Sequence, residues 1–138
     1  MRLKTVAGLR PLSIAAGLYA LGLLTPAAAQ APSLAMLRGL DDGQWEVRFR
    51  DGAPARRVCV RSGIELIQLQ HGRSDCNQFV VEDGTQAVTV QYTCRGNGYG
   101  RTSVRRESSS LVQIDSQGIA GNLPFQFSAE ARKVGPCR

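Results

Sequence analysis

Polar and apolar residues alternate strictly over 44–50 (QWEVRFR), with Trp45, Val47 and Phe49 on one side and Gln44, Glu46, Arg48 and Arg50 on the other. A period of two is the mark of a strand with one buried face. The same period returns over 125–134 (FQFSAEARKV), where Phe125, Phe127, Ala129 and Ala131 oppose Gln126, Ser128, Glu130 and Arg132. Shorter strand-like runs occupy 56–61 (RRVCVR), 101–107 (RTSVRRE) and 111–115 (LVQID), the last two joined through Ser108-Ser109-Ser110. Trp45, the only tryptophan, is expected to plug the core rather than stack on a ligand.

Between these runs lies 76–94 (CNQFVVEDGTQAVTVQYTC), two β-rich segments around a polar turn at Glu82-Asp83-Gly84-Thr85. Asp-Gly between such segments is a strong hairpin signal, and it sets Cys76 opposite Cys94. Ser62-Gly63-Ile64-Glu65 matches a capping box, which predicts a short helix from Gly63 to about Gln70 with Ile64, Ile67 and Leu66 inward. His71 then closes that helix as a solvent-facing residue near its negative end; as the only histidine it is also the first candidate for acid-base work. Residues 30–40 hold at most one helical turn, at 33–37, in a flexible lead-in. The glycines of Arg95-Gly96-Asn97-Gly98-Tyr99-Gly100 suit a tight turn or a bend in a strand, and Ser116 to Pro124 reads as a Gly-rich connection. The fold class is therefore mainly β: an antiparallel meander of about six to seven strands, strongly bent or barrel-like, with one short helix.

The first 29 residues stand apart from this pattern. Arg2, Lys4 and Arg10 precede an apolar run at 14–24, and Thr25-Pro26-Ala27-Ala28-Ala29 supplies small residues for cleavage, so 1–29 reads as a signal peptide cleaved near Ala29. Its apolar core is shorter than the roughly 20 residues that a membrane span needs. Residues 30–42 are the lead-in and 43–138 form one disulfide-stapled domain in the periplasm or secreted, with no transmembrane anchor after cleavage. Three of the 17 basic residues leave with the leader, so 14 cations face 11 acidic residues in what remains. That modest excess on an exported chain makes nucleic acid a poor partner.

All four cysteines follow the leader, and an even count in a small exported domain points to two disulfides. No Cys-x-x-Cys pair is present, which argues against zinc. Of the three connectivities, Cys76 with Cys94 and Cys59 with Cys137 is the one the hairpin favours.

Catalytic patterns are few. There is no Gly-x-Ser-x-Gly elbow, and the Gly-rich stretch at 96–100 has Arg101 where a dinucleotide loop needs its last glycine. No cofactor and no metal are expected. A hydrolytic carboxylate pair would draw on two of Glu46, Glu65, Glu107, Asp115 and Glu130, and spacing selects no pair among them. Consecutive strand residues face opposite ways, so neither Arg56-Arg57 nor Arg105-Arg106 makes a double patch. Tyr99, Arg101, Ser103 and Arg105 do share a face. They form either a solvated sheet face with cross-strand ion pairs or a polar groove, or open barrel interior, that binds an anion.

Gly43-Gln44-Trp45-Glu46, the cysteine in the second run, Tyr92-Thr93-Cys94-Arg95-Gly96 and the terminal Ala131-Arg132-Lys133-Val134-Gly135-Pro136-Cys137 together resemble the bacterial exported family known as domain of unknown function 3617. The likeness spans nearly all of the chain after the leader. Lys133 stands where that family has arginine, and only Asp51 to Ala55 stands where its members carry a methionine- and proline-rich segment. The resemblance implies a periplasmic or secreted location and disulfides, and brings no catalytic residue. The functional expectation is a non-enzymatic exported β domain that binds a small ligand or an envelope partner in the concavity of its sheet. The alternatives are a structural or stress-related envelope protein with no ligand and, third, a hydrolase using a carboxylate pair.

Overall fold

The computed structural model describes residues 33–72 and 75–138; the leader and its cleavage site lie outside them. Seven antiparallel strands form one sheet: β1 (Gly43–Phe49), β2 (Arg56–Val60), β3 (Cys76–Asp83), β4 (Ala87–Cys94), β5 (Gly98–Ser108), β6 (Leu111–Ala120) and β7 (Leu123–Gly135). A four-residue helix, α1 (Ala35–Arg38), precedes them, and a 3-10 turn (Ile64–Leu66) follows β2. The mainly β class and the strand count agree with the alternation in the sequence.

Strand order departs from a simple meander. It runs β2-β1-β7-β6-β5-β4-β3, so β3 to β7 form a true meander while the β1–β2 hairpin is added beside β7. Nor is the sheet closed into a barrel; β2 and β3 are its two edges. A meander in chain order would place its break between β1 and β7, but here these two pair over Gln44–Phe49 and the break falls where the link 61–75 crosses. The cysteines match this arrangement. Cys59 in β2 bonds Cys137 beyond β7, with 5.4 Å between their Cα atoms, tying together strands that flank β1. Cys76 faces Cys94 in register at a Cα separation of 4.1 Å, near that of a directly opposed, non-hydrogen-bonded pair.

The hairpin tip is displaced from the expected turn. Asp83 still pairs with Val88, and a bulge between Val80 and Glu82 takes up the extra residue, which keeps the two cysteines opposed. The expected connection at 116–124 is mostly strand: Ala120 pairs with Leu123, leaving only Gly121 and Asn122 in the turn, both at positive φ. That is the mirror-image two-residue turn whose twist suits a hairpin.

One face of the sheet is packed. Trp45 and Val47 of β1, Val60 of β2, Val88, Val90 and Tyr92 of β4, Val104 of β5, Val112 and Ile114 of β6, and Ala129 and Ala131 of β7 form a single buried cluster. Trp45 is fully buried as expected, its indole N–H donating to the Asp41 carbonyl at 2.9 Å. Residues 33–42 are not a flexible lead-in. Met36, Leu37 and Leu40 are buried in the core, and the Asp83 carboxylate accepts from the Ser33 and Leu34 amides at 2.8 and 3.3 Å.

The link after β2 completes the packing without forming the expected helix. Leu66, Ile67, Gln68 and Leu69 are all buried, a run with no exposed side and so no helical period to satisfy. Gly63 sits at φ 82° over Leu37, where a Cβ would clash with that residue's side chain and backbone. Half of the capping box forms: the Glu65 carboxylate accepts from the Arg61 and Ser62 amides, but the Ser62 hydroxyl donates to Glu65 instead of capping an amide. Carbonyls that a helix would consume are used elsewhere, Ile67 by Thr102 and Leu69 by Arg56.

Candidate functional site

His71 is the largest departure from the sequence reading. It is buried, not solvent-facing, because the link folds inward over the ends of β5 and β6. Its Nε2 stands 3.0 Å from the carbonyl oxygens of both Asn97 and Ile119; carbonyls only accept, so Nε2 carries the proton. In the neutral ring Nδ1 then accepts from the Tyr92 hydroxyl at 3.1 Å. The ring packs edge-on against Tyr92 and Phe125. Nearby, the Thr102 hydroxyl donates to the Ile67 carbonyl, which leaves Ser116 as donor to Thr102, both bonds at 2.7 Å.

This cluster is enclosed and internally satisfied: among the described residues no buried side-chain polar atom lacks a partner. Burial raises the Tyr92 phenol above its usual value, with Thr102 and Ser116 opposing the shift. Gly100 makes room for it, since a Cβ there would fall on the Tyr92 hydroxyl. The arrangement fastens the link to the sheet.

The opposite face of the sheet is open. Tyr99, Arg101, Ser103 and Arg105 all lie on it, so they line no barrel interior. Three of them come together in the shallow grooves along β5 to β7. Arg101 and Ser103 share a hollow of about 220 Å³ with Asp115, Gln117, Gln126 and Ser128. Tyr99 and Arg101 line an adjoining hollow with Gln91, Gln117 and Gln126. Arg105 stands apart, paired with Glu107 at 3.3 Å.

Register explains this set. Phe79 pairs with Gln91, Gln91 with Arg101, Arg101 with Gln117 and Gln117 with Gln126. One lateral row therefore crosses β3 to β7, roughly 19 Å over four interstrand steps. Sequence reasoning followed β5 lengthwise and missed the three glutamines, which belong to other strands. All five side chains of the row are exposed. Among the described residues, those of Gln91, Arg101, Gln117 and Gln126 make no hydrogen bond or ion pair.

The rows on either side differ in character. Toward the hairpin tip runs Glu82, Thr89, Ser103, Asp115 and Ser128, where Thr89 bonds both Glu82 and Ser103 and the Ser128 hydroxyl donates to Asp115. Toward the β4–β5 turn, Tyr99 lies between Thr93 and Ile119 and is half exposed. Ion pairs gather at the far end of the face, Glu46 with Arg48 and Arg57, Glu107 with Arg105, and Glu130 with Arg132. The middle is left with neutral amides and hydroxyls around one unpaired cation, Arg101, and two hydroxyl-bonded carboxylates, Glu82 and Asp115.

Such a surface can hold a ligand by hydrogen bonds and a single charge. No cluster of three or more metal-ligating side chains occurs among the described residues. No helix among them is long and apolar enough to cross a membrane. Comparison with known proteins finds no matching family model, no matching curated protein and no matching solved structure.

Proposed function

We propose that this chain is an exported, non-enzymatic β domain that binds an anionic small ligand or envelope partner on the outer face of its sheet, around Arg101. The observation that carries the reading is the unpaired Arg101 guanidinium, exposed in a groove with Tyr99, Ser103, Gln117 and Gln126. A free guanidinium among exposed, uncommitted amides is suited to a carboxylate or phosphate. The outer groove replaces the expected concavity as the binding place, because the other face of the sheet is covered by α1 and the link and packed as the core.

Two disulfides are compatible with an oxidising compartment, and the leader and the family resemblance support export. A hydrolytic pair is disfavoured by how the five carboxylates are spent: Glu46, Glu107 and Glu130 on arginines, Glu65 on backbone amides and Asp115 on Ser128.

Thermal unfolding with a panel of small carboxylates, phosphates and apolar compounds tests the reading. A ligand at a hundred times its dissociation constant stabilises by about 2.7 kcal/mol, so a bound anion raises the midpoint of the wild type and not of Arg101→Ala. If no compound shifts the wild type, the structural envelope role takes its place.

A further inference from the structure

We infer that a second binding site lies between the edge strand β2 and the link that follows it, and that its ligand is a phosphate monoester with an apolar body, a doubly charged head on a short hydrocarbon. No residue of the groove around Arg101 borders this site, so the two readings stand or fall separately.

The site is a hollow of about 700 Å³, within the range of a pocket for a small organic molecule. Val58 of β2 and Leu69 of the link give it apolar walls. Gln68 lines it as well and is only 9 % exposed. Its side-chain amide makes no hydrogen bond among the described residues, and since none of their fully buried side-chain polar atoms lacks a partner, that amide keeps an opening to the hollow. A side chain this deep is ordinarily paired within the protein. Gln68 instead holds two donors and an acceptor ready for a bound molecule.

Charge sets the head group. Arg56, Arg61 and Arg138 border the hollow against one carboxylate side chain, Glu65, and that carboxylate already accepts from the Arg61 and Ser62 amides. Arg56 is fixed in place: its guanidinium donates to the Leu69 carbonyl at 2.6 Å and stands 5.5 Å from the centre of the Phe49 ring. The side chains of Arg61 and Arg138 make no hydrogen bond or ion pair among the described residues. The Cys59–Cys137 disulfide brings these two to one rim, since Arg61 lies two residues beyond Cys59 and Arg138 follows Cys137. Two free guanidiniums from different segments can each take an edge of a tetrahedral phosphate. Arg56 lies on the other side of Cys59 along β2, roughly 10 Å away over three residues, with Val58 between them. The head therefore sits at the Arg61 and Arg138 end, and the hydrocarbon runs along Val58 and Leu69 toward Arg56.

Isothermal titration of the protein with hexyl phosphate, inorganic phosphate, hexanoate and hexanol tests this at about pH 8, where the monoester is doubly charged. Hexyl phosphate is expected to bind at least about tenfold more tightly than each of the other three. Arg61→Ala and Arg138→Ala should each weaken it about tenfold and Gln68→Leu about fivefold; far-ultraviolet circular dichroism checks that each variant folds. Inorganic phosphate binding as tightly as hexyl phosphate removes the apolar body, and hexanoate or hexanol doing so removes the doubly charged head; either result overturns the assignment. Hexyl phosphate binding that is lost in Arg101→Ala and kept in Arg61→Ala moves the ligand to the outer groove, which overturns the second site and leaves the groove standing. Absence of hexyl phosphate binding overturns the second site as well.

Discussion

Replacing His71 by leucine keeps the volume against Tyr92 and Phe125 but removes every polar contact of the ring. Among the described residues, the Tyr92 hydroxyl then loses its acceptor, and the carbonyls of Asn97 and Ile119 lose a shared donor. A buried group without its partner costs roughly 1 to 3 kcal/mol. Tyr92 is fully enclosed, whereas Asn97 and Ile119 are partly open to water, so with about 2 kcal/mol for the phenol and about 0.5 kcal/mol for each rehydrated carbonyl the sum is about 3 kcal/mol. For a domain with a stability of roughly 5 to 15 kcal/mol, that is a large fraction, and it lowers the midpoint by on the order of 15 °C. Urea unfolding of His71→Leu, Tyr92→Phe and the double variant measures it. The two single losses should exceed the double loss when added, since Tyr92→Phe has already removed one of the bonds. A loss below about 1 kcal/mol for His71→Leu, or strict additivity of the pair, would refute this account of how the link is fastened.

Other expectations follow from the same contacts. The Tyr92 phenol, held above its usual value by burial, ionises in the native protein only above pH 10, as a late phase at 295 nm that Tyr92→Phe removes. Since the folded value is the raised one, its contribution to stability is complete below pH 10 and is lost as pH rises through the folded value. Opening Cys59–Cys137 by paired alanines should cost about 4.5 kcal/mol and opening Cys76–Cys94 about 3 kcal/mol in the loop-entropy picture, because the first spans 78 residues and the second 18; urea unfolding giving the reverse order would count against that picture here. Gly100→Ala puts a methyl on the Tyr92 hydroxyl and should destabilise by roughly 1 to 3 kcal/mol, read as an earlier thermal midpoint.

Much of the fold can be read from period alone. The alternation around Trp45 and around Phe127 places the right residues inward, and the Asp-Gly turn with its flanking cysteines sets the β3–β4 hairpin. What period cannot convey is which strands meet at long range. Pairing of β1 with β7 depends on Val47 meeting Ala131 and Phe49 meeting Ala129, large residues against small, a complementarity visible only once the strands are side by side. The link misled for a related reason: Ser62 and Glu65 have the local chemistry of a helix start, yet the continuous burial of 66–69 makes tertiary contacts decide the backbone. His71 followed the same error, since a residue just beyond an expected helix looks solvated until the helix is gone.

The groove shows the same division between what is local and what is assembled. Tyr99, Arg101 and Ser103 are neighbours along one strand, so their shared face follows from parity. Gln91, Gln117 and Gln126 join Arg101 only through three successive pairings, β4 with β5, β5 with β6 and β6 with β7, and a shift of one residue in any of them would turn that strand's glutamine toward the core. The buried face fixes those registers, with Val90, Thr102 and Ser116 in one inner row and Val88, Val104 and Ile114 in the next. The inside of the sheet is thus committed to packing and to register, and the outer row inherits its alignment from it. Changing the inner row should therefore disturb binding without touching the groove. Thr102→Val keeps the shape but takes the donor from the Ile67 carbonyl and the acceptor from Ser116, at a cost of roughly 1 to 3 kcal/mol. Hydrogen exchange should then rise along the β5 and β6 amides, and the loss of anion affinity should track that loosening while Arg101 itself is intact. Unchanged exchange with reduced affinity would place Thr102 in the binding site itself, contrary to the separation of the two faces.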